Sequence, residues 1–136
     1  HVLFTRDTHF ENYLDTREGK NLPVTHCIKG TQGWEVYGET AKALAEVEAP
    51  AIDKLVFGMD VTDPATAAVL PESAEVIELV GLVSNICVVS NAVVLQSRYP
   101  EATIIVDAAC TDSFDKALHE KVLDVLSGFQ VKVTNR

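Results

Sequence analysis

The feature that most constrains this chain is an alternation. Five short apolar runs rich in β-branched residues are separated by stretches of helical periodicity. The runs are His1 to Arg6, Ile52 to Phe57, Val76 to Gly81, Ala102 to Asp107 and Phe129 to Thr134, and each has the length and character of a buried strand. The clearest helix is predicted over Asp115 to Ser127, with Leu118, Val122, Val125 and Leu126 on one stripe, Ser113 or Asp115 as cap and Gly128 as stop. Further helices are predicted over Asn85 to Ser97, over Glu39 to Glu48, and over Asp63 to Leu70 with Pro64 in its first turn. Strands joined through helices need right-handed crossovers, which make the pairing parallel and cover both faces of the sheet. The expected fold is therefore α/β: three-layer α/β/α, doubly wound, with a mostly parallel sheet. With 136 residues, 47% of them apolar, one compact domain over 1–136 is expected.

Charge and cysteine usage narrow the function classes. A net charge of −9 without any cluster of Lys and Arg repels phosphate backbones and anionic membranes, so neither nucleic acid nor a membrane is an expected partner. No run approaches the roughly 20 apolar residues of a membrane span, and no segment resembles a signal peptide. Three cysteines, Cys27, Cys87 and Cys110, lack the dense spacing of a secreted disulfide framework. A cytoplasmic protein with reduced thiols is expected.

In doubly wound sheets ligands bind beyond the carboxyl ends of the strands. Reactive residues fall there. Asp7 follows the first run, Lys54 lies near the end of the second, and Cys87 follows the third as a helix begins. Cys87, in GLVSNICVVSNA, should lie near unpaired amides and the positive end of a helix dipole, which favour thiolate. A small buried hydrophobe is the ordinary alternative for such a cysteine. Asp7, His9 and His26 offer an oxygen and two imidazoles to a divalent metal such as zinc, manganese or iron, and Glu18 could add a further ligand. Plain loop hydrogen bonding is the competing role. Lys54 interrupts an apolar strand, where it either pairs its ammonium or snorkels to water. Phe10, Tyr13, Trp34 and Tyr37 could line an aromatic pocket or simply pack, and His119 reads as a surface residue. The long polar segment from Asp7 to Gly33 has a length that in compact domains usually means function.

Four segments, in order, resemble the isochorismatase-like cysteine hydrolases, the superfamily that includes nicotinamidases: TRDTHFENYL, LPVTHCIKGTQGW, IDKLVFG and GLVSNICVVSNA. The resemblance covers essentially the whole chain and implies a Rossmann-like fold. It implies that Cys87 is the nucleophile and Lys54 the catalytic lysine. The backbone amides of Ser84 and Cys87 would form the oxyanion hole, and Asp7, His9 and His26 would bind metal. It also implies a cis peptide at Val83–Ser84. Two departures stand out. The family's third catalytic residue, an Asp in a segment like Asp-x-Gln-x-Asp-Phe, has no match here, so the chain is expected to be N-terminally incomplete and to lack its first strand. Ser84-Asn85 stands where many relatives carry Thr-Asp.

The activity that the resemblance implies is metal-assisted hydrolysis of a small amide through a thioester, with nicotinamide the first candidate. In nicotinamidases the metal holds the pyridine nitrogen, whereas isochorismatases acting on a vinyl ether generally do without this metal site. Isochorismate, other small amides and ureido compounds are the alternative substrates. A non-catalytic binding member is a reading from another class. A redox-sensing thiol has little behind it, since no second cysteine lies close to Cys87 in sequence. Homo-oligomerisation is compatible with the family but has no sequence marker.

Overall fold

Parallel pairing is what the apolar runs adopt. In a computed structural model describing residues 1–136, β1 (Phe4–Asp7) pairs in parallel with β2 (Ala51–Lys54), and β3 (Val76–Leu82), β4 (Thr103–Asp112) and β5 (Lys132–Thr134) form a second parallel ladder. The helices between them are α1 (Arg17–Asn21), α2 (Gly38–Glu46), α3 (Pro64–Val69), α4 (Val89–Arg98) and α5 (Lys116–Gly128). The chain divides into two compact units, His1–Asp60 and Val61–Arg136. No helix is long and apolar enough to cross a membrane.

In the first unit the register places Phe4 beside Ala51 and Asp7 beside Lys54. The first strand starts later and is less buried than its composition predicts, for His1 and Val2 are exposed and Phe4–Asp7 are half-buried. β2 stops at Lys54, and Leu55, Val56 and Phe57 lie exposed beyond it rather than inside the strand. The polar segment after β1 contains α1, whose Thr16 cap accepts the Gly19 amide, and short 3₁₀ turns at Tyr13–Asp15 and Gln32–Trp34.

The second unit is built around Ile104 and Val106 of β4, Ala92 and Leu95 of α4, and Val122, Leu123 and Leu126 of α5, all buried. Withdrawing each large aliphatic of this set from water contributes about 1.5–3 kcal/mol before ordering costs. The buried stripe of α5 is His119, Val122, Leu123 and Leu126, one position round from the predicted one; Leu118 and Val125 are exposed. His119 is thus a core residue and not a surface one. Asp115 is the cap of α5, accepting the Leu118 amide. The stop falls after Gly128, with Gln130 in the left-handed region (φ 70°), so β5 cannot begin at Phe129.

β4 runs on to Asp112, past its predicted end at Asp107, because it carries an excursion. Leu79 pairs with Val106, yet Gly81 pairs with Thr111, so four residues of β4, Asp107 to Cys110, stand against Val80 alone, while Asp107 still pairs with Thr134 of β5. The Asp107 carboxylate ties the excursion down, accepting the Ala109 amide and the Asn135 side-chain amide. Beyond it, Thr111 and Asp112 return beside Gly81 and Leu82, the last residues of β3. Gly81 has φ 110°, a conformation that side chains resist.

Candidate active site

The candidate residues fall into two groups, one in each unit. In the first unit, adjacency of Asp7 and Lys54 across the ladder lets the Lys54 ammonium donate to Asp7 Oδ1 at 3.1 Å. The lysine side chain is only 3% exposed, so it pairs its charge in the interior rather than snorkelling to water. The other oxygen of the same carboxylate, Asp7 Oδ2, lies 3.3 Å from His9 Nε2 and 3.6 Å from His26 Nε2. Backbone pairing delivers both histidines: His9 forms a β-bridge with Ile28, and its amide donates to the Cys27 carbonyl, which seats His26 next door. Glu18, presented by α1, brings Oε1 to 3.6 Å from His9 Nε2.

The hydrogen-bonding pattern of the histidines matches a cation site. His26 Nδ1 lies 2.7 Å from the Val24 carbonyl, and a carbonyl can only accept, so Nδ1 donates there and Nε2 is the ring nitrogen left facing Asp7. His9 Nε2 is buried and makes no hydrogen bond although two carboxylates stand within 3.6 Å. One ligand atom from each of Asp7, His9, Glu18 and His26 lies within 4.8 Å of all the others. Two imidazole nitrogens and two carboxylate oxygens are a donor set that suits zinc, manganese or iron. The residues present therefore fit a divalent metal.

Tyr13 forms the floor of this cluster. Its ring centroid lies 4.5 Å from that of His9 and 5.0 Å from that of His26, and its hydroxyl donates to the Leu22 carbonyl. Burial raises the pKa of the phenol, and the negative charges of Glu18 and Asp7 raise it further. Close packing against α1 holds it there, for a Cβ added at Gly19 would sit 2.1 Å from the Tyr13 carbonyl oxygen. Gly19→Ala must displace α1, and with it Glu18. Thermal unfolding should report a loss of about 1–3 kcal/mol, and a zinc titration should report weaker binding. An unchanged melting temperature would mean that the backbone yields without cost.

Of the other aromatics, Trp34 lies under the Arg6 guanidinium at 3.6 Å and donates from its indole to Thr8 Oγ1, while Phe10 and Tyr37 are exposed. Asp53 gathers Arg6 and Lys29 nearby. Burial raises the Asp53 pKa, but the hydrogen bonds and charges of Lys29 and Arg6 outweigh it and hold the carboxyl below its usual range.

In the second unit, β3 delivers the chain into a π-turn, Ser84–Val88, that continues directly into α4. The cis peptide is Leu82–Val83, one bond earlier than Val83–Ser84. The reason is local: the Val83 carbonyl must face the turn to accept the amides of Ile86 and Val88, so the change of direction precedes Val83. Those two amides are used inside the turn. Cys87 is half-buried within it. Three side chains hold the turn. His119 Nδ1 lies 2.9 Å from Ser84 Oγ, Ser113 Oγ donates to Asn85 Oδ1 at 2.6 Å, and Asn91 Nδ2 donates to the Cys87 carbonyl at 2.8 Å.

Sequence reasoning missed Tyr13 as part of the metal-ligand cluster and missed His119, Ser113 and Asn91 altogether as site residues. His119 did leave a signal, since 119, 122, 123 and 126 have the i, i+3, i+4, i+7 spacing of one helix face. Ser113 and Asn91 left none, because their partners depend on the β4 excursion and on the π-turn.

Solved structures with this fold include a nicotinamidase from Bacillus subtilis, with a TM-score of 0.81 at 22% identity over 98% of this chain and 74% of that one. A nicotinamidase from Staphylococcus aureus has a TM-score of 0.74 at 23% identity, over 100% of this chain and 76% of that one. A pyrazinamidase from Pyrococcus horikoshii, solved in complex with zinc, has a TM-score of 0.69 at 18% identity, over 97% and 73%. At such identities the likeness establishes the isochorismatase-like α/β fold. No curated protein matches. The model of the isochorismatase domain matches residues 1–136. Since that match leaves out no part of either unit, the chain belongs to the isochorismatase family.

Proposed function

We propose that this protein is a metal-assisted cysteine amidohydrolase that converts a small amide, nicotinamide first among them, to the carboxylic acid and ammonia. The observation that carries the reading is the convergence of Asp7, His9, Glu18 and His26 within 4.8 Å. Relatives that act on a vinyl ether generally do without such a metal-ligand set, so its retention favours the amidase branch.

Cys87 is the nucleophile. Its sulfur attacks the amide carbonyl carbon, the carbonyl electrons move onto oxygen, and the amide of Cys87 receives that charge, while Ser84, the other expected donor, is fully buried. Collapse of the tetrahedral adduct breaks the C–N bond, the thiol proton ends on the departing nitrogen, and a thioester to Cys87 is left. Water then adds to the thioester, and the acid is released as the thiol is restored. Lys54, which donates to Asp7, is the catalytic lysine of this reading. A divalent ion held by Asp7, His9, Glu18 and His26 would supply Lewis acidity, polarising a substrate heteroatom or acidifying water.

The test is ammonia release from a panel of nicotinamide, pyrazinamide and carbamoyl compounds, each with and without chelator. Release from nicotinamide should be fastest. It should fall at least about tenfold on chelation and return with added zinc. Equal rates with and without chelator would remove the metal from the reading. No ammonia from any member would remove amide hydrolysis.

A further inference from the structure

His119 in the first turn of α5 and Ser113, two residues ahead of the cap of that helix, both reach the nucleophile turn, and no role in the proposed reaction accounts for them. His119, nine-tenths buried, meets Ser84, which is fully buried, through Nδ1 and Oγ at 2.9 Å. Ser113 donates to Asn85 and accepts the amide of Asp115, the residue that caps α5. Ser84 and Asn85 are the first two residues of the π-turn, and Cys87 is the fourth. The turn is otherwise anchored by backbone bonds to Val83 and by Asn91 on the Cys87 carbonyl. A π-turn is an uncommon way to leave a strand and needs external support.

We propose that His119 is a positioning residue that acts through the Ser84 hydroxyl, holding the start of the turn so that Cys87, three residues on, keeps its sulfur and its amide aimed at the substrate carbonyl. The proposal rests on the reading of Cys87 as nucleophile. The physical basis is that a donor must be aimed before the reaction starts, and an aim lost by about 1 Å costs on the order of 100-fold in rate. Serine is suited to this bond in either histidine tautomer, because its hydroxyl both donates and accepts. The same bond explains why Ser84 can stand where many relatives carry Thr: the hydroxyl is what His119 holds. Ser113, between β4 and the cap of α5, gives Asn85 a parallel tether, so both leading residues of the turn are held.

Ser84→Ala removes only a hydroxyl and keeps the backbone, so it tests the bond without touching Cys87 itself. Ser84→Ala and His119→Ala should each lower kcat by about 10–100-fold and leave KM within about threefold. The double variant should be no slower than either single one, since both remove the same bond. His119→Asn, whose side-chain amide reaches toward the position of Nδ1, should regain most of the lost kcat. It also serves where His119→Ala fails to fold. Hydrogen exchange across residues 83–88 should accelerate in Ser84→Ala and His119→Ala but not in His119→Asn. Multiplying effects in the double variant, a raised KM with kcat unchanged, or unchanged exchange across 83–88 would each overturn the clamp. Failure of the underlying reading is separate and visible: Cys87→Ala would then keep full activity, whatever the exchange of the turn.

Discussion

Cys87→Ala should abolish amide hydrolysis, lowering kcat by at least about 10⁴-fold, on the scale seen when a catalytic nucleophile is removed from an enzyme that uses one covalently. The fold should barely respond. Cys87 is half-buried, its neighbours in the turn are tied by Ser84, Asn85 and Val83, and alanine preserves the backbone that makes those ties. The melting temperature is therefore expected to move little while activity disappears. Cys110 supplies the control. It is exposed on the β4 excursion, and the charge of Asp107, with smaller help from burial and from Glu78, raises its pKa and keeps it a thiol. Iodoacetamide should accordingly label Cys87 first and stop the reaction, and Cys110→Ser should retain activity. A Cys87→Ala protein that still hydrolyses amides would end the covalent mechanism. Equal labelling of the two thiols would favour a non-catalytic binding role.

The second large effect is expected from Asp7→Asn, because one carboxylate serves two partners. Its Oδ1 accepts from the buried Lys54 ammonium and its Oδ2 faces both histidines of the metal-ligand set. Asparagine keeps the shape and removes the charge. Breaking a buried ion pair by neutralising one partner costs about 3–5 kcal/mol. Asp7 is partly exposed, so water softens this case toward the lower end. Zinc affinity should fall by more than the roughly 10–100-fold that loss of an outer hydrogen-bond partner produces. Chemical denaturation and competition with a chromophoric chelator measure the two losses independently. Asp7→Asn with wild-type stability and wild-type zinc affinity would mean that neither pairing matters.

How much of this was legible before the structure depends on which interactions are local. Period and composition located all five strands, and Asp63 and Asp115 announced the starts of α3 and α5 because a cap bonds within its own first turn. Strand ends were less legible: Leu55, Val56 and Phe57 are as apolar as a strand interior, yet the ladder ends at Lys54. Asp7, His9 and His26 could be grouped by type and loop, but their convergence depends on the His9–Ile28 bridge, a pairing that no periodicity announces. His119 was misplaced through an error of one step round the helix, since Leu118 and Val125 are more apolar than histidine and drew the stripe toward themselves. A polar residue in a buried stripe is intelligible only once its partner is known, and Ser84 is distant in sequence.

The β1–β2 register has a consequence for how such a protein can vary. Asp7 and Lys54 face each other because their strands pair without a slip, and a shift of one residue would send one of the two side chains to the opposite face. Everything from Thr8 to Pro50 is suspended between the two ends of that pairing. The intervening loops and helices can therefore exchange residues, lengthen or shorten while the acid–lysine pair stays intact, provided that the chain returns to Ala51 opposite Phe4. Diversity in what is bound can accumulate in one segment while the charge pair is inherited unchanged by two short strands.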